Sequence, residues 1–377
     1  MPRGGAAAWL RIRGKHLDTL YRTSVHHITP NARTYVTSLY ERAREVELPA
    51  VYDGDDVVVD IGRDGANARL SSKDGAVSIE VESRTEQGAT LLRSFLGHFL
   101  EKVAAPEKPE LVWDGFDADL DELPGLREMT LVDRKMVTPR MVRVRLAGRD
   151  LARFASSGHI VRLLFPPSGL AAPEWPKPGK NGRPVWPEEG KRPQSRVYTI
   201  RDVDVAAGTM DIDFVVHGAH GVAARWAVDA PIGDVIGVLG PTGLGLRQAE
   251  WYLLGSDETA IPAIARILAK IDPTAHATVF IEIEDAAERQ ALTHSDNVTV
   301  HWLERNGLPV GRTTLLVDAM KSVTLPDDTT KVVWIGAELE TVRDLRVYFK
   351  KDLGLDRLEL NASAYWRFGK AESAPTE

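Results

Sequence analysis

The segment RPQSRVYTIRD, residues 192–202, sets two arginines, an aromatic and a threonine on one strand-like run. A pleated strand sends alternate side chains to opposite faces, so Arg196 and Tyr198 share one face and Thr199 and Arg201 the other. A tyrosine beside an arginine can cover a flat heterocycle while the guanidinium pairs with a phosphate. On composition alone the same run also reads as an edge strand with solvated charges. In HGAHGVAARWA, residues 217–227, Gly218 and Gly221 lead a strand into a helix start. The free N–H groups of such a start cradle a diphosphate. GSDETAIPAI, residues 255–264, is a second strand–turn–helix of this kind. Taken singly, each turn is also a common structural device.

Other chemistries find little support. The chain has no cysteine, which removes disulfides, thiolate zinc sites, Cys-ligated iron–sulfur clusters and Cys nucleophiles. His217 and His220 lie three apart with no third ligand nearby, which argues against zinc. His98, between Gly97 and Phe99 in a helical pattern, reads as structural. A formal net charge of −7 gives no footprint for nucleic acid. No apolar run approaches the ~20 residues needed to span a bilayer. Arg3, Arg11, Arg13 and Lys15 precede no long apolar segment, so a secretion signal is not expected and the expected location is cytoplasmic.

These turns need scaffolds to hold them, and 377 residues argue for two or three domains. The pattern predicts a multidomain α/β and β protein. Residues 33–104 read as a small α/β domain: a helix through Tyr35, Leu39 and Val46, then DVVVDIG, ARLSS and AVSIEVES as strands. Asp74-Gly75 marks a hairpin, and a closing helix carries Leu91, Leu92, Phe95, Leu96, Phe99 and Leu100. Residues 105–125 are acidic with flanking prolines and read as a linker, with Trp113 packing onto a neighbour. Short strands over 126–248 predict an antiparallel barrel, interrupted by a long basic stretch at 166–193. From 249 to 369 strand and helix alternate, with ERQAL among the helices, which predicts a parallel sheet binding ligands at its carboxyl ends.

Taken in order, SRVYTIRD, HGAHGVAARWA, GSDETAIPAIARIL, VVWIGAELETVRDLR and AYWRFG resemble the siderophore-interacting protein family, over about residues 126–369. These are FAD-containing ferric-siderophore reductases of the ferredoxin–NADP reductase superfamily. Residues 33–104 resemble a small domain of unknown function sometimes fused to them. The resemblance implies that Arg196 meets the FAD diphosphate, Tyr198 packs on the isoalloxazine and Thr199 sits near its reactive nitrogen, with Arg201 as a second arginine typical of this branch. It implies that His217, Gly218, Gly221, Ala223, Ala224 and Arg225 belong to the turn and helix receiving the FAD phosphates. The family pattern there is Gly-Pro-Ala-Ser. Val222 and Ala224 replace its proline and serine, which removes one phosphate hydrogen bond. Asp257, Glu258, Thr259 and Pro262 match the nicotinamide-side turn, and Tyr365 and Trp366 the C-terminal aromatic.

The chemistry so implied is hydride transfer from NADH or NADPH to FAD, then single-electron transfer to ferric iron in a siderophore that brings its own ligands. Lys177, Lys180, Arg183, Lys191, Arg192 and Arg367 are candidates for a basic rim steering an anionic chelate; the loop lysines also read as ordinary solvated charge. The strand ending IEIED places an acid where a ribose 2′-hydroxyl binds, while nearby Arg289 suits a 2′-phosphate, so the donor stays open. Two alternatives remain: a flavin reductase with another acceptor, and a ferric-siderophore binding protein without catalysis.

Overall fold

The computed structural model describes residues 20–45, 48–60, 66–115, 122–123, 125–156, 158–179, 184–216, 221–242 and 246–369. The chain divides into two compact units, Met1–Leu120 with Gly179–Arg183, and Asp121–Pro178 with Pro184–Glu377.

The first unit is a six-stranded antiparallel sheet with two helices. Its elements are β1 (Tyr21–Ile28), α1 (Ala32–Glu45), β2 (Ala50–Asp53), β3 (Asp56–Asp60), β4 (Asn67–Ser71), β5 (Ala76–Ser83), α2 (Glu86–Val103) and β6 (Trp113–Gly115). The sheet order is β2-β3-β4-β5-β1-β6. Alternate residues Val57, Val59, Ala68, Leu70, Val77, Ile79 and Val81 enter the core, where Leu92, Leu96 and Leu100 recur every four residues on α2. Asp74 and Gly75 both take positive φ, 54° and 68°, which is the backbone a two-residue hairpin requires. Leu91 and His98 face outward, His98 against the Phe99 ring edge.

Two readings of this region are corrected. The unit begins at β1, ahead of residue 33, and the first half of the supposed linker belongs to it. Trp113 is buried in the core, and its strand pairs with β1. Glu107 accepts hydrogen bonds from Tyr35, Asn31, Thr29 and His27 at 2.6–3.1 Å. The Tyr35 bond leads in pulling its carboxyl down to about 2.

The second unit joins a barrel to a parallel sheet. The barrel strands are β7 (Leu126–Thr138), β8 (Met141–Ala147), β9 (Ile160–Phe165), β12 (Gln194–Asp204), β13 (Thr209–Val215) and β14 (Val235–Thr242). They close in the order β12-β13-β8-β7-β14-β9. Helix α3 (Ala152–Ser156) and the short pair β10 (Lys177–Pro178) and β11 (Pro184–Val185) lie within its connections. The long 166–193 stretch is anchored by Trp175, whose indole donates to Glu128 at 2.9 Å and whose ring lies against Gly237. Helix α4 (Val222–Asp229) packs Ala223, Ala227 and Trp226 onto the barrel core.

The remaining elements are β15 (Trp251–Ser256), α5 (Ile261–Leu268), β16 (His276–Ile283), β17 (Val298–Glu304), α6 (Leu315–Lys321), β18 (Lys331–Glu338), α7 (Leu339–Val347) and β19 (Leu360–Trp366). The sheet order is β17-β16-β15-β18-β19, parallel throughout. On β15, Tyr252 and Leu254 join the α5 core and Leu253 joins the α6–α7 core, so alternation buries both faces. ERQAL is not a helix. Asp285 caps a single 3₁₀ turn, Ala286–Glu288, and Arg289 then turns extended to pair with Glu304 at 2.6 Å.

Candidate functional site

Strand β12 carries the first wall. Arg196 and Tyr198 are half-buried on one face, and the Tyr198 ring meets Phe214 of β13 with centroids 4.4 Å apart. Phe214 is fully buried in the barrel, so the tyrosine stands on rigid packing. Gly221 precedes α4 with φ 138° and no side-chain cap. A Cβ added there would meet no described residue within 4 Å, and no side chain caps the first N–H groups of α4. Such an end suits a diphosphate, and the arginine and tyrosine of β12 suit the rest of a dinucleotide. Ala223 is buried and offers a ligand only its main chain; Ala224 is half-buried and Arg225 exposed. His217, Gly218 and His220 lie outside the described residues, as do Lys180 and Arg183.

Thr199 faces the other way and is buried. It lies beside the Tyr365 hydroxyl without completing a regular hydrogen bond, and burial pushes that phenol up to about 12. Gly336 makes this close approach feasible, since a Cβ there would sit 2.6 Å from Trp334 and 3.0 Å from Tyr365. The barrel strand therefore meets the carboxyl end of the parallel sheet at Thr199 and Tyr365.

Asp257 and Glu258, matched to the nicotinamide-side turn, are turned inward instead. Asp257 accepts from the Thr259 N–H and hydroxyl at 2.9 and 2.5 Å, from the Glu338 N–H at 3.0 Å and from the Trp366 indole at 2.8 Å. One carboxylate thus ties together the carboxyl ends of β15, β18 and β19. Burial raises it to about 6 against the pull of those donors. A carboxyl raised on folding contributes stability below its ordinary value of 3.8, and that contribution is lost as pH rises through about 6. The Trp366 indole ¹H–¹⁵N resonance is expected to titrate with a midpoint near 6 and to become pH-independent in Asp257→Asn. A flat wild-type resonance between pH 4 and 8 refutes this.

Glu258 is paired on both oxygens with Arg305, at 3.0 and 2.5 Å. Arg305 also lies 3.5 Å from Glu282 and 3.4 Å from Glu284, and Arg140 of the barrel edge reaches Glu284 at 2.9 Å. The acid expected to meet a ribose is thus occupied if it is Glu284, and Asp285 caps the following turn. Arg305, Arg140 and Glu338 were not legible as site residues. They are lone charges at strand ends, and their partners are distant in sequence.

Arg201 is not brought together with Arg196. The β12–β13 register shifts between Ile200 and Asp202, a bulge at Arg201 that leaves both Arg201 and Asp202 beside the outer carboxylates of β13. Arg201 lies 3.5 Å from Asp213, which Arg143 already holds on both oxygens. Of the basic rim, Lys177 and Arg367 are exposed, Lys191 pairs with Glu174 at 2.7 Å, and Arg192 stacks over Trp186 at 4.9 Å. Among the described residues no His/Asp/Glu cluster could hold a metal and no helix is long and apolar enough to cross a membrane.

Comparison with known proteins covers this same unit. Residues 130–244 match the siderophore-interacting FAD-binding domain and residues 249–369 the siderophore-interacting protein family. The chain is 30% identical over 253 residues to ferric vibriobactin reductase ViuB of Vibrio cholerae, covering 66% of this chain and 92% of that one. It is 32% identical over 250 residues to the NADPH-dependent ferric-chelate reductase of Escherichia coli, covering 64% and 92%. A siderophore utilization protein from T. fusca superposes with a TM-score of 0.57 at 33% identity, covering 68% of this chain and 98% of that chain. Neither family match reaches residues 1–129.

Proposed function

This chain belongs to the siderophore-interacting protein family, and from that premise we propose that it is an FAD-dependent reductase taking hydride from NADH or NADPH and delivering electrons to ferric iron in a siderophore. The observation that carries the reading is the meeting of Thr199 with Tyr365. It sets β12, whose opposite face carries Arg196 and Tyr198, at the carboxyl ends of a parallel sheet, where such sheets bind nucleotides. When bound, FAD supplies the conversion between two-electron and one-electron chemistry.

The protein's own residues orient and enclose. Arg196 and the uncapped α4 N-terminus offer positive charge to phosphates, and Tyr198 offers an aromatic wall. Tyr365, its hydroxyl buried, keeps water from Thr199. The raised phenol stays protonated at neutral pH and leaves no charge there. Asp257 and Arg305 act at one remove by fixing the strand ends that a nicotinamide nucleotide would meet. Iron is cargo in this scheme and arrives with its own ligands; Lys177 and Arg367 are exposed cations available to an anionic chelate.

The test is an absorbance spectrum of the purified protein, anaerobic titration with NADH and NADPH, and an iron(II) trap with several ferric siderophores. A flavin band bleached by either nucleotide, with iron(II) released from a ferric siderophore, is expected. Faster turnover with free flavin or a quinone than with any ferric siderophore overturns the assignment of acceptor. Failure to take up FAD overturns the reductase itself.

A further inference from the structure

Arg201 opens onto a cavity of about 280 Å³ between the barrel and α5. Arg143, Arg201, Asp202 and Asp211 line it from the barrel, and Arg266 and Lys270 from α5 and the turn after it. Its charges are unevenly matched. Arg143 takes both oxygens of Asp213 at 2.6 and 2.8 Å, and Arg145 does the same to Asp211 at 2.7 and 2.8 Å. Arg201 is left at the far side of Asp213, and its Nε is buried with no hydrogen-bond partner.

Arg266 is 8% exposed and donates only to the carbonyl oxygens of Phe154 and Gly158, at 3.1 and 3.3 Å. Lys270 donates only to that of Ala155, at 3.1 Å. Among the described residues neither forms an ion pair. Burial lowers the basicity of Arg201, Arg266 and Lys270, and Arg266 disfavours the charge on Lys270 as well. Three cations share one small cavity with a single exposed carboxylate, Asp202, since Asp211 and the adjoining Asp213 are held by Arg145 and Arg143. Arg266 is buried, Arg201 half-buried and Lys270 exposed at the rim, and a cation drawn out of water as Arg266 is needs compensating charge.

We propose that this cavity binds an oxyanion of the phosphate class, held between the barrel and the nucleotide-binding half by Arg201, Arg266 and Lys270. Charge-assisted bonds from guanidinium and ammonium donors suit a tetrahedral anion. The site is separate from the dinucleotide wall, since Arg196 and Arg201 stand five residues apart, ~16 Å along an extended strand. An anion there would clamp β12 to α5 and stabilise the union of the two halves.

The experiment is calorimetric titration of the full-length, FAD-loaded protein with inorganic phosphate, at ionic strength fixed with sodium chloride, alongside Lys270→Met and Arg201→Gln. Glycerol 2-phosphate serves as a second probe. Saturable phosphate binding is expected, about tenfold weaker in each variant, with a phosphate-dependent rise in unfolding temperature that the variants lose. Equal binding of glycerol 2-phosphate assigns the site to the phosphoryl end of an organic ligand, and weaker binding assigns it to the free ion. Lys270 is at the cavity rim, so its variant reports even where Arg201→Gln unfolds. No saturable heat with phosphate in the tens of millimolar, or unchanged affinity in Lys270→Met, overturns the proposal.

Discussion

Arg305→Met is expected to destabilise the larger unit by about 3–5 kcal/mol, the usual cost of removing one partner from a buried ionic group. Arg305 is 1% exposed and serves Glu258, Glu282 and Glu284 together. Methionine fills much of the space and removes the charge, so Glu258 loses both its bonds and Glu282 its nearest cation. Burial already raises Glu282 in the intact protein. Without Arg305 the Glu282 carboxyl rises further on folding. Its protonated form then favours the folded state at low pH, and that help is lost as pH rises through its raised value. The variant's deficit should therefore be smaller at mildly acid pH than at mildly alkaline pH in urea unfolding. Glu258→Gln added to Arg305→Met should recover part of it. An equal deficit at both pH values would show that lost packing, and not uncompensated charge, sets the cost.

The same cluster shows where reading the sequence stopped. Local patterns sufficed for elements whose partners are near in the chain: the Asp74-Gly75 hairpin, the four-residue repeat of leucines on α2 and the strand–helix alternation after residue 249. They failed for β6, three residues long, which exists because it pairs with β1; Thr23 bonds Asp114 across 91 residues. They failed at ERQAL, where a helical composition lost to the Asp285 cap and the Arg289–Glu304 pair. Within the site, the aromatic and arginine of β12 could be assigned to one face by period alone. The fate of Asp257 depended on Trp366, 109 residues away, and that of Glu258 on Arg305, 47 residues away. A carboxylate at a helix start reads the same in sequence whether it meets a ligand or a buried indole. Arg201 is intermediate. Strand period alone set it opposite Arg196, and only the β13 register shows the bulge that keeps it with Asp202.

Arg196→Ala is expected to weaken FAD retention by one to two orders of magnitude while leaving the fold intact. The size follows from about 1.5–3 kcal/mol for a hydrogen bond to a charged group, since about 1.4 kcal/mol is tenfold in affinity. The side chain is half-buried and bonds the Ser195 carbonyl at 2.8 Å, so it is held in place before any ligand arrives. The helix start at α4 replaces it only in part, because Ala224 has no hydroxyl to offer and Gly221 provides no side-chain cap. Arg196→Lys keeps the charge and loses the planar fork, so it should fall between wild type and alanine. Tyr198→Ala should also release FAD. It leaves Phe214 in its buried place but removes the ring above it, which separates loss of an aromatic wall from loss of charge. The measurement is flavin fluorescence recovered on dilution and gel filtration, which needs no turnover and no acceptor. Salt distinguishes the two variants: retention by Tyr198→Ala should weaken further as ionic strength rises, and that by Arg196→Ala should change less. Wild-type FAD affinity in Arg196→Ala would remove the arginine from the dinucleotide wall and leave the α4 N-terminus as its anion-binding part.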